Sequence, residues 1–318
     1  MPSGRLDALV IHNPAAGARH PERFRNRIAA EVGRRRERVE VCTTTGAGAA
    51  RELARRAVEE GISRVIVAGG DGTISEVATA IAGGATILGV IPGGTGNQLA
   101  FELGLPLALD RAVAVAMGDS LRRIDVGWVD GRAFTAMAGA GIDAAVIGGA
   151  DPRTKRWAGK MAYIASALRA VSDLPRSRLV IRVDERTWKG DGIGVLVANV
   201  PRLRVPFLAH GLTVVPGGSV EDGLLDCCAL AVDGVPGLAR EVWLGLRGAD
   251  GGGSDLQYLR GRTIVVEADP PLGVQVDGDL AGTTPFRAEV RPGALVVAAP
   301  RPGSGRRKRS GSRAAAAR

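Results

Sequence analysis

The chain has 318 residues, 45% of them hydrophobic and 24% charged, a balance that fits a folded protein of about two domains and excludes a wholly disordered one. Its formal charge of +9 is concentrated at the end: Arg301, Arg306, Arg307, Lys308, Arg309, Arg313 and Arg318 supply seven positive charges, leaving +2 over residues 1–300. A nearly neutral body with only 3% aromatic residues excludes a basic nucleic-acid face with stacking platforms, and no nucleic-acid partner is expected.

The first residues lack a charged stretch followed by an apolar run and cleavage site, and no window reaches 18 uninterrupted apolar residues. These features predict a cytoplasmic protein that meets membranes only peripherally. Cys42, Cys227 and Cys228 form no C-x-x-C pair. Neighbouring cysteines on a strand face opposite ways, so they read as small packing residues of a reducing compartment.

In chain order, residues 9–11 read as an apolar strand, 13–17 as a turn, and the charged stretch to about residue 36 as a helix. A strand over 39–42 precedes a helix over 47–60 with Leu53, Ala54, Ala57 and Val58 on one side. Residues 64–68 form a strand, 73–82 a helix and 87–91 a strand. This alternation calls for a parallel sheet with helices on both faces, an α/β domain over 1–128. Beyond it the pattern changes. Apart from a helix over 157–171, the segments 178–183, 193–198, 225–232, 263–268, 274–276 and 294–299 are strand-like and separated by Gly, Asp and Pro. They predict a mainly antiparallel β-sandwich domain over 129–300. The low-complexity run 301–318 reads as a disordered basic tail, able to be attracted by anionic lipid.

Three glycine-containing turns fall between a strand and the following helix: N13-P-A-A-G17, G69-G-D-G-T73 and P92-G-G-T-G-N97. In a parallel sheet such turns lie at the carboxyl ends of the strands, where helix N-termini attract anions. Asp71 stands inside the second turn, and a carboxylate beside a phosphate is repulsive unless a cation lies between them. The combination points to a nucleotide with its magnesium. No G-x-x-x-x-G-K-[ST] occurs, and no G-x-G-x-x-G follows a strand with an acid about 20 residues on, so neither a P-loop nor a dinucleotide fingerprint is present.

The three turns in this order resemble the diacylglycerol kinase catalytic-domain family of lipid kinases, including its small soluble bacterial members and the related sphingosine kinases. The resemblance extends to about residue 300. It implies ATP and magnesium as cofactors and membership of phospholipid metabolism. The reaction implied is transfer of the γ-phosphate to a lipid alcohol at a membrane surface, most simply diacylglycerol to phosphatidate. On the resemblance, the nucleotide falls to Asn13, Pro14, Ala15, Ala16 and Gly17, to Thr44, to Gly69, Gly70, Asp71, Gly72, Thr73, Ile74, Ser75 and Glu76, and to Gly94, Thr95 and Asn97. F134-T-A-M-A-G-A-G-I-D143 is similar to the segment joining the domains. E221-D-G-L-L-D226 looks like the turn where these kinases hold a structural magnesium, through Glu221, Asp222, Leu224 and Asp226. V276-D-G-D279 is similar to the late D-G-[DE] turn assigned to catalysis.

Phosphoryl transfer needs positioning, charge neutralisation and an acceptor for the hydroxyl proton. Asp71 and Asp125 would anchor magnesium, and Asp277 and Asp279, on one side of a strand, are both candidates for the base. Plainer readings stand beside these: Asp277-Gly278 as a hairpin turn, Asp125 as a surface acid paired with a neighbouring arginine, and the 221–226 acids as solvated. Gln98 replaces an acid frequent in the family, Ala136 replaces a common asparagine, and 199–210 lacks the usual glycine cluster. A sphingoid base or another lipid alcohol, an NAD kinase, or a nucleotide- or lipid-binding protein without catalysis are the alternatives. The absence of any Asn-Glu pair weighs against the NAD kinase. A homodimer is open to it.

Overall fold

The computed structural model describes residues 6–17, 20–34, 38–142, 144, 176–204, 212–213, 217–232, 234, 236–237, 240 and 255–301. The expected helix over 157–171, residues 205–210 and the tail beyond residue 301 lie outside them. Elements run β1 (Ala8–His12), α1 (Pro21–Gly33), β2 (Val39–Thr43), α2 (Ala49–Glu59), β3 (Arg64–Gly69), α3 (Asp71–Ile81), β4 (Ile87–Pro92), α4 (Gln98–Glu102), α5 (Leu109–Ala116), β5 (Leu121–Val129), β6 (Arg132–Phe134) and β7 (Met137–Gly141). The later ones are β8 (Ser177–Val183), β9 (Arg186–Gly192), β10 (Gly194–Ala198), β11 (Arg202–Leu203), β12 (Leu212–Thr213), β13 (Leu225–Leu230), β14 (Leu256–Gly261), β15 (Thr263–Asp269), β16 (Gly273–Val276), β17 (Asp279–Thr283) and β18 (Phe286–Ala298).

Strands β1 to β4 pair in parallel in the order β2-β1-β3-β4. Their apolar runs are covered on both faces, as a parallel sheet requires. Ala50, Ala54 and Ala57 of α2 and Ile74, Val77, Ala78 and Ile81 of α3 fill one face. Ile28 and Val32 of α1 and Ala112, Val113 and Ala116 of α5 fill the other. Val58, expected on the buried stripe, is 41% exposed, because a helix advances about 100° per residue and the line through 50, 54 and 57 leaves 58 to one side.

The second half is antiparallel. A six-stranded sheet, β14-β13-β10-β7-β16-β17, packs against a wing, β15-β8-β9, of the first sheet. Leu179, Ile181, Val195, Val197, Ile264 and Val266 are among the side chains filling the space between. Cys227 belongs to this core and Cys228 to a smaller cluster on the opposite face, with Ile193 and Leu230, as their adjacency on a strand dictates.

β18 holds the halves together. Its first part pairs with β15 and β5; the register then shifts between Arg291 and Leu295; its last part pairs in parallel with β4. Pro292 has no N–H to give a ladder and Gly293 has φ +56, which places the irregularity. The expected strand over 294–299 is therefore only the second part of a 13-residue strand. No helix among the described residues is long and apolar enough to cross a membrane.

Candidate active site

The carboxyl ends of the neighbouring strands β1, β3 and β4 bring the three glycine turns together. In the first, Asn13 Oδ1 accepts from Ala15 N at 2.9 Å and Asn13 Nδ2 donates to Thr73 Oγ1 at 2.8 Å, tying this turn to the second. A Cβ on Gly17, whose φ is +63, would meet Gly93 O at 2.5 Å, and one on Gly94 would meet Gly70 Cα at 2.5 Å. The glycines therefore serve the close packing of turn on turn as well as any ligand. Asn97, at φ +50, closes the third turn: its Oδ1 accepts from Gly94 N at 2.9 Å and its Nδ2 donates to Gly94 O at 2.8 Å.

These turns form one wall of an open cleft of about 880 Å³. Residues 13–17, Thr44, Gly70, Gly72, Thr73, Gly94 and Thr95, which the resemblance assigns to the nucleotide, line it, whereas Asp71 and Asn97 of the same set do not. Ile74 lies in the core, and Ser75 is buried with its Oγ donating to Ala133 O at 2.5 Å. Gly69 packs on Thr73. Glu76 lines the cleft but its carboxylate accepts from Gly48 N at 2.9 Å, Ala50 N at 3.1 Å and Arg51 N at 3.3 Å, so it caps α2.

Helix α3 begins two residues earlier than its periodicity predicts, and Asp71 is its first residue. An acid there opposes the positive end of the helix. Its Oδ1 accepts from Gln98 N at 2.7 Å, so the same carboxylate also answers the first amides of α4 and locks the second turn to the third. Burial pushes it above the usual carboxylate range, against the pull of the Gln98, Leu99 and Asn97 amides. The Gln98 amide, in place of an acid, accepts from Arg204 N at 2.6 Å and donates to Arg204 O at 3.2 Å, which only a group with both functions can do.

The opposite wall carries two hairpins of the same build. Val129 pairs with Arg132 across Asp130-Gly131, and Val276 pairs with Asp279 across Asp277-Gly278. Both turn residues have positive φ in each case, +46 and +78, then +46 and +93, the signature of two-residue hairpin turns. Asp277 thus sits in a turn rather than on a strand, and its side chain parts from that of Asp279. It is buried: Oδ2 accepts from Thr135 N at 2.7 Å, and Oδ1 from Met137 N at 2.9 Å and Ala136 N at 3.0 Å. Burial pushes its pKa to about 7, with a smaller contribution from the charge of Asp71. Asp279 reaches the cleft and pairs with Arg132.

Asp125 is neither at the surface nor in the cleft. It is buried, and its two oxygens accept from Gly223 N at 2.6 Å and Gly293 N at 2.7 Å. That leaves it unfit to anchor the nucleotide's metal. In the acidic turn, Glu221 pairs with Arg122 at 2.7 Å, while Arg260 bridges Asp222 and Asp226, each at 2.7 Å; Leu224 N donates to Asp222 Oδ1 at 3.1 Å. Guanidinium groups already stand where the resemblance implies magnesium, so these residues do not fit a further cation. Among the described residues no three His, Cys, Asp or Glu side chains converge as a metal cage.

Arg132 and Arg51 are the cations of the cleft, and sequence reasoning passed over both. For Arg132 a signal existed: V129-D-G-R132 repeats the pattern of V276-D-G-D279.

Comparison with known proteins agrees with this architecture. Residues 7–129 match the diacylglycerol kinase catalytic domain, and residues 136–299 match the YegS C-terminal NAD kinase beta sandwich-like domain. A Pseudomonas aeruginosa protein named "Probable lipid kinase YegS-like" is 31% identical over 300 residues, covering 92% of this chain and 93% of its own. The Bacillus subtilis protein named diacylglycerol kinase is 26% identical over 281 residues, 87% and 91% of the two chains. The crystal structure of a diacylglycerol kinase from Bacillus anthracis, 22% identical, superposes with a TM-score of 0.74 over 94% of this chain and 99% of its own, a likeness of fold.

Proposed function

The chain belongs to the lipid kinases built on a diacylglycerol kinase catalytic domain, and on that premise we propose that it transfers the γ-phosphoryl group of ATP to the hydroxyl of a lipid alcohol, most simply diacylglycerol. One observation carries this reading: three glycine turns from adjacent parallel strands face an acid, Asp279, across one cleft. The turns and the amino end of α3 would hold the phosphates. Magnesium arrives with the nucleotide as part of the substrate and would neutralise phosphate charge; Asp279 and Asp130 line the cleft opposite the turns and are the acids on hand to it, whereas Asp71 is held by Gln98 N between two turns and does not line the cleft. Asp279 accepts the hydroxyl proton, and Asp277 positions the hairpin that presents it. The nucleotide falls to residues 1–128 and the lipid to residues 129–300, which would meet its substrate at a membrane surface.

The test is label transfer from γ-labelled ATP to mixed micelles of diacylglycerol, a sphingoid base or a prenyl alcohol, with NAD as a further acceptor. Diacylglycerol is expected to take the label, and no transfer to any lipid would overturn the reading. Asp279→Asn should lower kcat by about 10² or more in a protein that still binds ATP. If instead Asp277→Asn alone abolished turnover in a fully folded protein, the two acids would exchange roles.

A further inference from the structure

Resting on that reading, we propose that Arg132 binds the phosphoryl group being transferred, and that its ion pair with Asp279 is a resting state which the nucleotide opens. The two Asp-Gly hairpins each present to the cleft the residue that follows the turn, Arg132 from one and Asp279 from the other. A Cβ on Gly72 would lie 3.2 Å from Asp279 Oδ2, the same oxygen that accepts from Arg132. That carboxylate therefore lies against the first turn of α3, the positive end of an 11-residue helix, with the Arg132 guanidinium bonded to the same oxygen. A cation is disfavoured there unless an anion lies between it and the helix. Asp279 supplies that anion now, standing where an oxygen of a terminal phosphate would be held by the helix amides and an arginine together.

The pair is open to replacement. The side chains of Arg132 and Asp279 are 29% and 55% exposed, and an ion pair so wet is weak. A terminal phosphate carries more charge and three acceptor oxygens, so it would take the guanidinium from the carboxylate. Arg51, the other cation of the cleft, lies in the first turn of α2, whose amides Glu76 already answers. Loss of its partner leaves Asp279 able to take a proton at the moment one is released. The lipid hydroxyl oxygen then bonds to the γ-phosphorus as the bond from that phosphorus to the bridging oxygen breaks. The electron pair leaves with ADP, and the hydroxyl proton passes to the Asp279 carboxylate.

Calorimetric titration of the full chain with ATP, ADP and AMP, each with magnesium, separates this role from a structural one. For Arg132→Gln, ATP affinity should fall about 10- to 100-fold while AMP and ADP change less than about twofold, since only ATP has the terminal group. Arg132→Lys, which keeps the charge without the fork, should keep part of the preference and serves as the comparison if the glutamine variant melts early. An equal loss for all three nucleotides, or no loss for ATP, overturns the proposal alone. Absence of ATP binding by the unaltered protein overturns it together with the kinase reading.

Discussion

Asp277 is the side chain whose environment is most at odds with its chemistry. Three backbone amides favour its charged form, yet burial wins and lifts it from 3.8 to about 7. Between those values the folded protein keeps a proton that the unfolded chain has released. Its contribution to stability is thus full below about pH 4, falls as pH rises towards 7, and is flat above. The slope reaches at most about 1.4 kcal/mol per pH unit. Asp277→Asn, neutral throughout, lacks this dependence. Urea denaturation of both proteins from pH 4 to 8 should therefore show their stability difference shrinking with pH in this window; a constant difference would refute it. The Asp-Gly turn was legible from its tetrapeptide, but the amides that work against the burial come from Thr135, Ala136 and Met137, some 140 residues away in sequence.

Helix α2 begins at a glycine in the left-handed region, and no side chain of its own N-cap satisfies its first amides. Glu76 of α3 does so, from 26 residues away. Glu76→Ala should cost about 1–2 kcal/mol, and Glu76→Gln less, since the amide oxygen still accepts; chemical denaturation measures both. The family resemblance assigned Glu76 to the nucleotide, yet its carboxylate serves a helix that forms a cleft wall. The first turn offers a second test. Gly17→Ala puts a Cβ into Gly93 O at a positive φ, so it should cost at least about 1 kcal/mol and weaken ATP binding by parting the first and third turns. The elements themselves were readable from period and punctuation. Their first residues were not, because α3 starts inside the glycine turn and the amide partners that define a start lie on other elements.

Across the whole molecule, two of the acids expected to hold metals, Asp125 and Glu221, join the two halves, and two more, Asp222 and Asp226, brace the second half. Asp125 on β5 joins the acidic turn to the irregularity in β18, and Arg122 of the same strand pairs with Glu221. Arg260 of β14 bridges Asp222 and Asp226, the latter only 3% exposed. A chelator should leave the melting temperature of the unaltered protein unchanged. Arg260→Gln should lower stability by about 2 kcal/mol, discounted for the partial exposure of the arginine, and millimolar magnesium should restore part of it. Scanning calorimetry checks each; a chelator-induced fall of several degrees would show that a metal resides there after all.

What the sequence settled by itself is what short range controls: alternating periods gave the parallel and antiparallel halves, and strand-to-helix glycines marked the three turns. Folding alone decided which partner each charge meets. Asp71 answers α4, Asp125 answers two glycine amides, and Arg132 finds Asp279 across 147 residues. A carboxylate is stabilised equally well by an amide, a guanidinium or a cation, so its residue type names no partner; only the path of the chain, and above all the return of β18 into the first sheet, determines which is at hand.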